Sequence, residues 1–179
     1  MDFEDIEAYR RYLASDAHED FAWESCAARW SEFLGADYLH EEGTPISARS
    51  PGPGSACELL LWDLQDDVTE RQADQMLRAL ADLPRTVPEV AGLSLGRRFL
   101  PSGGGHSAVD RALLKPRGEG PLPYRRLGDA PRFGLVVECN DAVSLRRYRE
   151  SAAFREFFDR YARPLWTAYR RQEMVVEEG

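Results

Sequence analysis

Residues 138–166, ECNDAVSLRRYRESAAFREFFDRYARPLW, have a second version at residues 2–30, DFEDIEAYRRYLASDAHEDFAWESCAARW. Laid over each other without a gap, Tyr12 falls on Tyr148, Ser15 on Ser151, Ala17 on Ala153, Phe21 on Phe157 and Trp30 on Trp166. Arg11 meets Arg147, and both stretches open on an acid, Asp2 and Glu138. Matches at one fixed offset, several of them aromatic, mark an internal repeat, so the chain must build one local structure twice. The copies part at one chemically important place. Six residues beyond the shared tyrosine, the first has His18 and the second Phe154. One copy carries a ring that can exchange protons; the other carries a ring that can only pack.

The apolar periodicity supplies the surrounding elements. Phe3, Ile6, Tyr9 and Leu13 share one face of a helix predicted over residues 3–14. A break is expected near Ser15-Asp16, and Asp16 with Glu19 opens a second helix running to about Arg29. On one unbroken helix, positions six apart sit about 120° from facing each other. A kink between Tyr12 and His18 therefore lets both side chains enter one cavity. Residues 32–39 read as a strand, and residues 43–56, GTPISARSPGPGSA, as a linker that separates a partial repeat (1–42) from a main domain (57–179).

Within the main domain, CELLLWDL at 57–64 has the nearly unbroken apolar run of a strand covered on both faces. Thr69 and Gln72 form a capping box for a helix over 69–83, with a buried stripe of Ala73, Met76, Leu77, Leu80 and Leu83 and a stop at Pro84. Further strands are expected at 90–95, 133–139 and 170–177, and a helix at 141–162. The order β-α-β-β-α-β gives an antiparallel sheet with both helices on one face, an α+β ferredoxin-like fold. Its other face calls for a second sheet, from a repeat or from the partner in a homodimer.

Composition narrows the functional classes. The net charge of −8 is unevenly spread: residues 97–132 hold eight basic residues against three acids, on a long loop rich in Gly and Pro. That excess reads either as a solvated loop or as an anion-facing patch, with Arg97 and Arg98 at its root nearest any ligand. The patch lacks interleaved aromatics, which argues against nucleic acid. No apolar run reaches the roughly 18 residues of a membrane span. Cys26, Cys57 and Cys139, odd in number and without metal spacing, fit free thiols in a reducing cytoplasm. His18, His40 and His106 show no ligand spacing, so neither a metal nor another cofactor is expected.

The segments LLLWDLQDDVTERQADQMLRALADLP, VAGLSLGR and FGLVVECNDAVSLRRYRESAAF resemble the Dabb family, the stress-responsive branch of the dimeric α/β-barrel superfamily. Residues 3–38 are similar to the second half of that family, with Tyr12, His18, Trp30, Asp37 and Tyr38 at its motif positions. The resemblance implies Tyr12 and His18 as a catalytic pair of the kind used by polyketide cyclases in the family. His18 would take a proton from an acidic carbon or phenol, as a neutral imidazole can near cellular pH. Tyr12 would hold the resulting oxyanion. Arg97, Arg98, Trp62, Tyr148, Phe154 and Trp30 are the candidate substrate-binding residues, for a small molecule that is anionic or carrier-bound. The complete copy departs from the family with Phe154 in the histidine's place and Glu58 where many members have a histidine. The functional expectation is a cofactor-independent cyclase or lyase. A cofactor-free monooxygenase and a non-enzymatic ligand-binding or assembly module remain open beside it.

Overall fold

The computed structural model describes residues 4–20, 32–33, 38–40, 52–98, 125–126 and 131–176. The chain divides into two compact units, Met1–Asp37 with Phe99–Ala130, and Tyr38–Arg98 with Pro131–Gly179.

In the first unit, α1 (Ile6–Leu13) and α2 (Asp16–Asp20) are separated by a break at Ala14-Ser15. The expected strand at 32–39 divides between the units. Its start, β1 (Glu32–Phe33), pairs in parallel with β5 (Arg125–Arg126), and its end, β2 (Tyr38–His40), joins the main sheet of the second unit. The continuation of α2 toward Arg29 lies outside the described residues.

The second unit holds a five-stranded antiparallel sheet in the order β2-β4-β6-β3-β7, where β3 is Ala56–Leu64, β4 Val90–Arg98, β6 Phe133–Cys139 and β7 Trp166–Val175. Without β2, that order and the connecting helices are the ferredoxin-like arrangement. The sheet is open, with β2 and β7 at its edges. A closed barrel is not formed by its five strands.

Alternation in β3 sorts the layers. Ala56, Glu58, Leu60, Trp62 and Leu64 share one face, and all but Glu58 belong to the buried core with Leu93, Leu95, Leu135 and Val137. The core's other side is α3 (Glu70–Ala81), which buries Ala73, Met76, Leu77 and Leu80, and α5 (Ala142–Glu150), which buries Leu145 and Tyr148. Each fully buried side chain of this size contributes about 1.5–3 kcal/mol. The Thr69–Gln72 capping box starts α3 as the sequence predicts. Pro84 does not end it. α3 stops at Ala81, and Pro84 lies in the first turn of the short helix α4 (Leu83–Thr86), where its missing N–H leaves no bond unmade.

The predicted single helix at 141–162 is also interrupted. α5 ends at Ser151, α6 (Ala152–Phe157) follows, and a π-helical stretch, Phe158–Ala162, leads through a last turn, Arg163–Leu165, into β7. β7 starts at Trp166, earlier than its polar sequence suggests. The C-terminal end of the expected linker is not loose: Gly54 N–H donates to Val176 C=O (2.8 Å) and Val176 N–H to Ser55 C=O (2.9 Å), prolonging the β3–β7 ladder.

On the sheet face away from the helices, Tyr38 lies over a Gly96–Gly134 pair and donates its hydroxyl to Pro131 C=O (3.0 Å). A Cβ on Gly134 would stand 3.0 Å from the Tyr38 ring, so glycine there is what admits the ring.

Candidate functional site

Tyr12 and His18 are brought together by Ser15. Asp5 caps α1 by accepting from Ala8 N–H (2.7 Å). At the other end Ser15 donates twice to Tyr12 C=O, from its N–H (3.0 Å) and its hydroxyl (2.6 Å). Its Oγ then accepts from His18 N–H at 3.3 Å. One serine closes the first helix and opens the second. The turn it makes brings the His18 ring edge-on to Tyr12, with centroids 4.8 Å apart and planes at 63°. His18 is 2% exposed, whereas Tyr12 is half-buried. The polar neighbours Asp16 and Asp20 are exposed, so burial of this imidazole is particular to its position.

The second copy repeats the joint residue for residue. Asp141 caps α5 through Ser144 N–H (2.6 Å), bonds that hold its carboxyl below the ordinary carboxylate range. Ser151 N–H donates to Tyr148 C=O (3.1 Å), and Ser151 Oγ accepts from Phe154 N–H (3.1 Å). The Tyr148 and Phe154 centroids are again 4.8 Å apart. Here both rings are buried in the helix–sheet core, Tyr148 completely. Burial, and then the charge of Glu58, push the Tyr148 phenol far above its ordinary range.

Glu58 is the residue whose importance the sequence shows least. It is fully buried in β3, with Oε2 accepting from Arg149 Nε (2.5 Å) and facing Arg171 Nε at 3.2 Å. Arg149 also pairs with Glu173 on β7. Desolvation pushes the Glu58 carboxyl up, against the opposing pull of the two guanidinium groups. The available signal was parity: one acid on the same strand face as Leu60 and Trp62. Its partners lie 91 and 113 positions further along the chain, beyond any local pattern.

The remaining candidates are dispersed. Arg97 points to the helix side and pairs with Glu70 (2.9 Å) and Asp74 (2.5 Å), its guanidinium 5.6 Å from the Phe133 ring centre. Its charge is met by these acids, which reduces what it adds to an anion-facing patch. Arg98 ends β4 and donates its N–H to Arg132 C=O (2.7 Å). Trp62 is completely buried between Phe133 and Trp166, in stacked contacts at 5.7 and 4.8 Å. Trp30 and His106 lie outside the described residues, as do residues 99–124 of the basic loop. Cys57 and Cys139 are buried free thiols, and burial together with nearby acids pushes the Cys139 thiol up to about 12. Among the described residues no group of three His, Cys, Asp or Glu is placed to hold a metal ion. None of their helices is long and apolar enough to cross a membrane.

No family model and no curated protein matches the chain. Solved structures do. A candidate monooxygenase from Fusobacterium nucleatum aligns with 98% of this chain and 67% of its own, at a TM-score of 0.61 and 10% identity. The hydroxynitrile lyase of Passiflora edulis covers 72% of this chain and 98% of its own, at 0.53 and 12%. A hypothetical Arabidopsis thaliana protein covers 74% and 97%, at 0.51 and 10%. At such identities the likeness is one of fold.

Proposed function

We propose that the chain is a small-molecule enzyme that works through its own side chains, closing a polyketide-like substrate by acid–base chemistry at Tyr12 and His18. The observation that carries this reading is the edge contact between a buried imidazole and a half-buried phenol across a serine-built break. His18 takes a proton from a methylene flanked by carbonyls, Tyr12 donates a hydrogen bond to the enolate oxygen, and the enolate carbon attacks a second carbonyl within the substrate. Loss of water then completes the ring. Likeness in fold to a protein named as a hydroxynitrile lyase supports carbon-acid chemistry on this architecture. Incubation with an acyclic poly-β-keto acid, followed by mass spectrometry, tests it. A cyclic product lighter by one water is expected, and unchanged substrate with an intact fold would sink the reading.

A second reading has its own support, because a structure that aligns with nearly the whole chain is a candidate monooxygenase. The same enolate would then add dioxygen to form a hydroperoxide at that carbon, which loses water to leave a new carbonyl. Oxygen consumption coupled to a product carrying an added oxygen atom would favour it over ring closure.

We also infer a homodimer. The sheet face opposite the helices carries the apolar side chains Leu59, Val136 and Met174, suited to a second copy of the sheet. Light scattering at micromolar concentration should give twice the chain mass.

A further inference from the structure

A cavity of 370 Å³ lies within the second unit, between α6, the π-helical stretch and the edge strand β7. It shares no residue with Tyr12 and His18. One wall is aromatic: Phe154, Phe158 and Tyr169 form a chain with centroid separations of 6.2 and 6.0 Å, the second contact edge-on. The other wall is cationic, made by Arg149, Arg155, Arg163 and Arg171, with Asp159 as the lining's carboxylate. Phe158 and Asp159 both come from the π-helical stretch, a backbone irregularity that recurs at binding sites.

The arginines are held unequally. Arg163 is paired with Asp159 at 3.1 Å. Arg149 and Arg171 converge on the buried Glu58, and Glu173 adds a second acid to Arg149. Arg155 donates to the Glu150 backbone C=O, a neutral acceptor, and so keeps its whole charge. Arg171 meets Glu58 through Nε, which leaves the outer edge of its guanidinium for another acceptor. Among the lining side chains and the acids bonded to them, the cations exceed the carboxylates by one. Glu58 gives a second sign of a built site. A carboxylate on a core-facing strand position is costly to bury, and here it fixes two guanidinium groups at the cavity.

We propose that this cavity binds a monoanionic aromatic acid, its ring against Phe154, Phe158 and Tyr169 and its carboxylate between Arg155 and Arg171. A volume of this size falls in the ordinary range for small-molecule sites. Guanidinium groups match carboxylate geometry in two-point contacts. One uncompensated positive charge suits a carboxylate better than a dianionic phosphate.

Calorimetric titration of the full chain with 2-naphthoate, 2-naphthamide and inorganic phosphate tests the assignment. Naphthoate should bind saturably at one site per chain, and the neutral amide at least about tenfold more weakly, because its loss removes a charge-assisted hydrogen bond. Arg155→Gln, at an exposed position, should weaken naphthoate by a similar factor with the melting temperature unchanged. Arg171→Gln should do the same, and Arg155→Gln keeps the test valid if loss of Arg171 disturbs Glu58. His18→Ala should leave naphthoate binding intact. Equal binding of acid and amide, no saturable binding, insensitivity to Arg155→Gln, displacement by phosphate, or loss of binding in His18→Ala would each overturn the proposal.

Discussion

Ser15 and Ser151 each close one helix through an N–H bond to the tyrosine carbonyl and open the next by accepting a backbone N–H, and in both copies the rings on either side of that serine stand 4.8 Å apart. The copies differ in what surrounds that joint. Phe154 and Tyr148 are held in a core with Leu145 and Phe157, while His18 is buried beside a tyrosine that keeps part of its surface. One backbone device therefore serves two ends. It places a packing ring in one copy and a titratable ring in the other, and the shared residues are those that build the turn. Beside the second copy ionisable groups enter from the sheet instead, through Glu58 and Arg171, which Arg149 meets from α5. Repetition in the sequence reports repeated geometry; chemistry has to be read at the positions where the copies disagree.

The largest separation between the copies should come from the sixth-residue rings. His18→Ala is expected to lower turnover by about 10²–10⁴-fold, the range for loss of a general base, well beyond what the stability lost by emptying its buried site accounts for. Phe154→Ala should instead destabilise the fold by about 3–5 kcal/mol, as for other large-to-alanine changes in a core. Parallel kinetic and denaturant measurements on the two variants break the comparison if either shows the other's phenotype.

The tyrosines should separate by less. Tyr12→Phe removes one hydrogen-bond donor while keeping the ring, and should cost turnover up to about tenfold. The Tyr148 hydroxyl is buried with no hydrogen-bond partner among the described residues. Tyr148→Phe should therefore leave stability unchanged or slightly raised in chemical denaturation, since it deletes a buried polar atom that makes no hydrogen bond. A marked loss would reveal a bond made by that hydroxyl and weaken the contrast.

Much of the sheet was legible because its strands are unlike their surroundings. CELLLWDL is too uniformly apolar for a one-faced element, and Thr69 with Gln72 marks the start of α3 by a bond pattern that four residues suffice to encode. The Tyr12–His18 pair was legible through the repeat and the resemblance together. What stayed hidden depends on distant or irregular partners. The π-helical turn at Phe158 carries no period of its own, and β7, expected at 170–177, begins earlier, at Trp166. Glu58 looks like an interruption in an apolar strand until Arg149 is folded over it.

The capping serines should give a smaller, shared effect. Ser15→Ala and Ser151→Ala each remove the side-chain acceptor for the N–H three residues on, worth about 1 kcal/mol at a helix start. In the first copy the same change should also reduce turnover, because it loosens the turn that sets His18 against Tyr12. In the second it should touch stability alone. Equal kinetic effects from both variants would show that the joint is not particular to either copy's chemistry.

The smallest expected effect is a slope with pH, and it belongs to Glu58, the β3 residue bonded to the second copy through Arg149. Burial raises the Glu58 carboxyl above its ordinary value, the Arg149 and Arg171 charges offsetting only part of that rise. Between the ordinary carboxylate value and the raised one, the folded chain holds a proton that the unfolded chain has released. Glu58 thus contributes stability that is fully present below the unfolded value and is lost as pH rises through the folded value. Asp141, with its lowered value, acts in the opposite sense. Glu58→Gln removes the titrating proton but keeps the shape. Denaturant midpoints measured across mildly acidic pH should fall less steeply, or rise more steeply, in Glu58→Gln than in the parent chain. Coincident slopes would mean that the arginines hold Glu58 ionised throughout, and the second copy would then meet a fixed ion cluster with no proton to exchange.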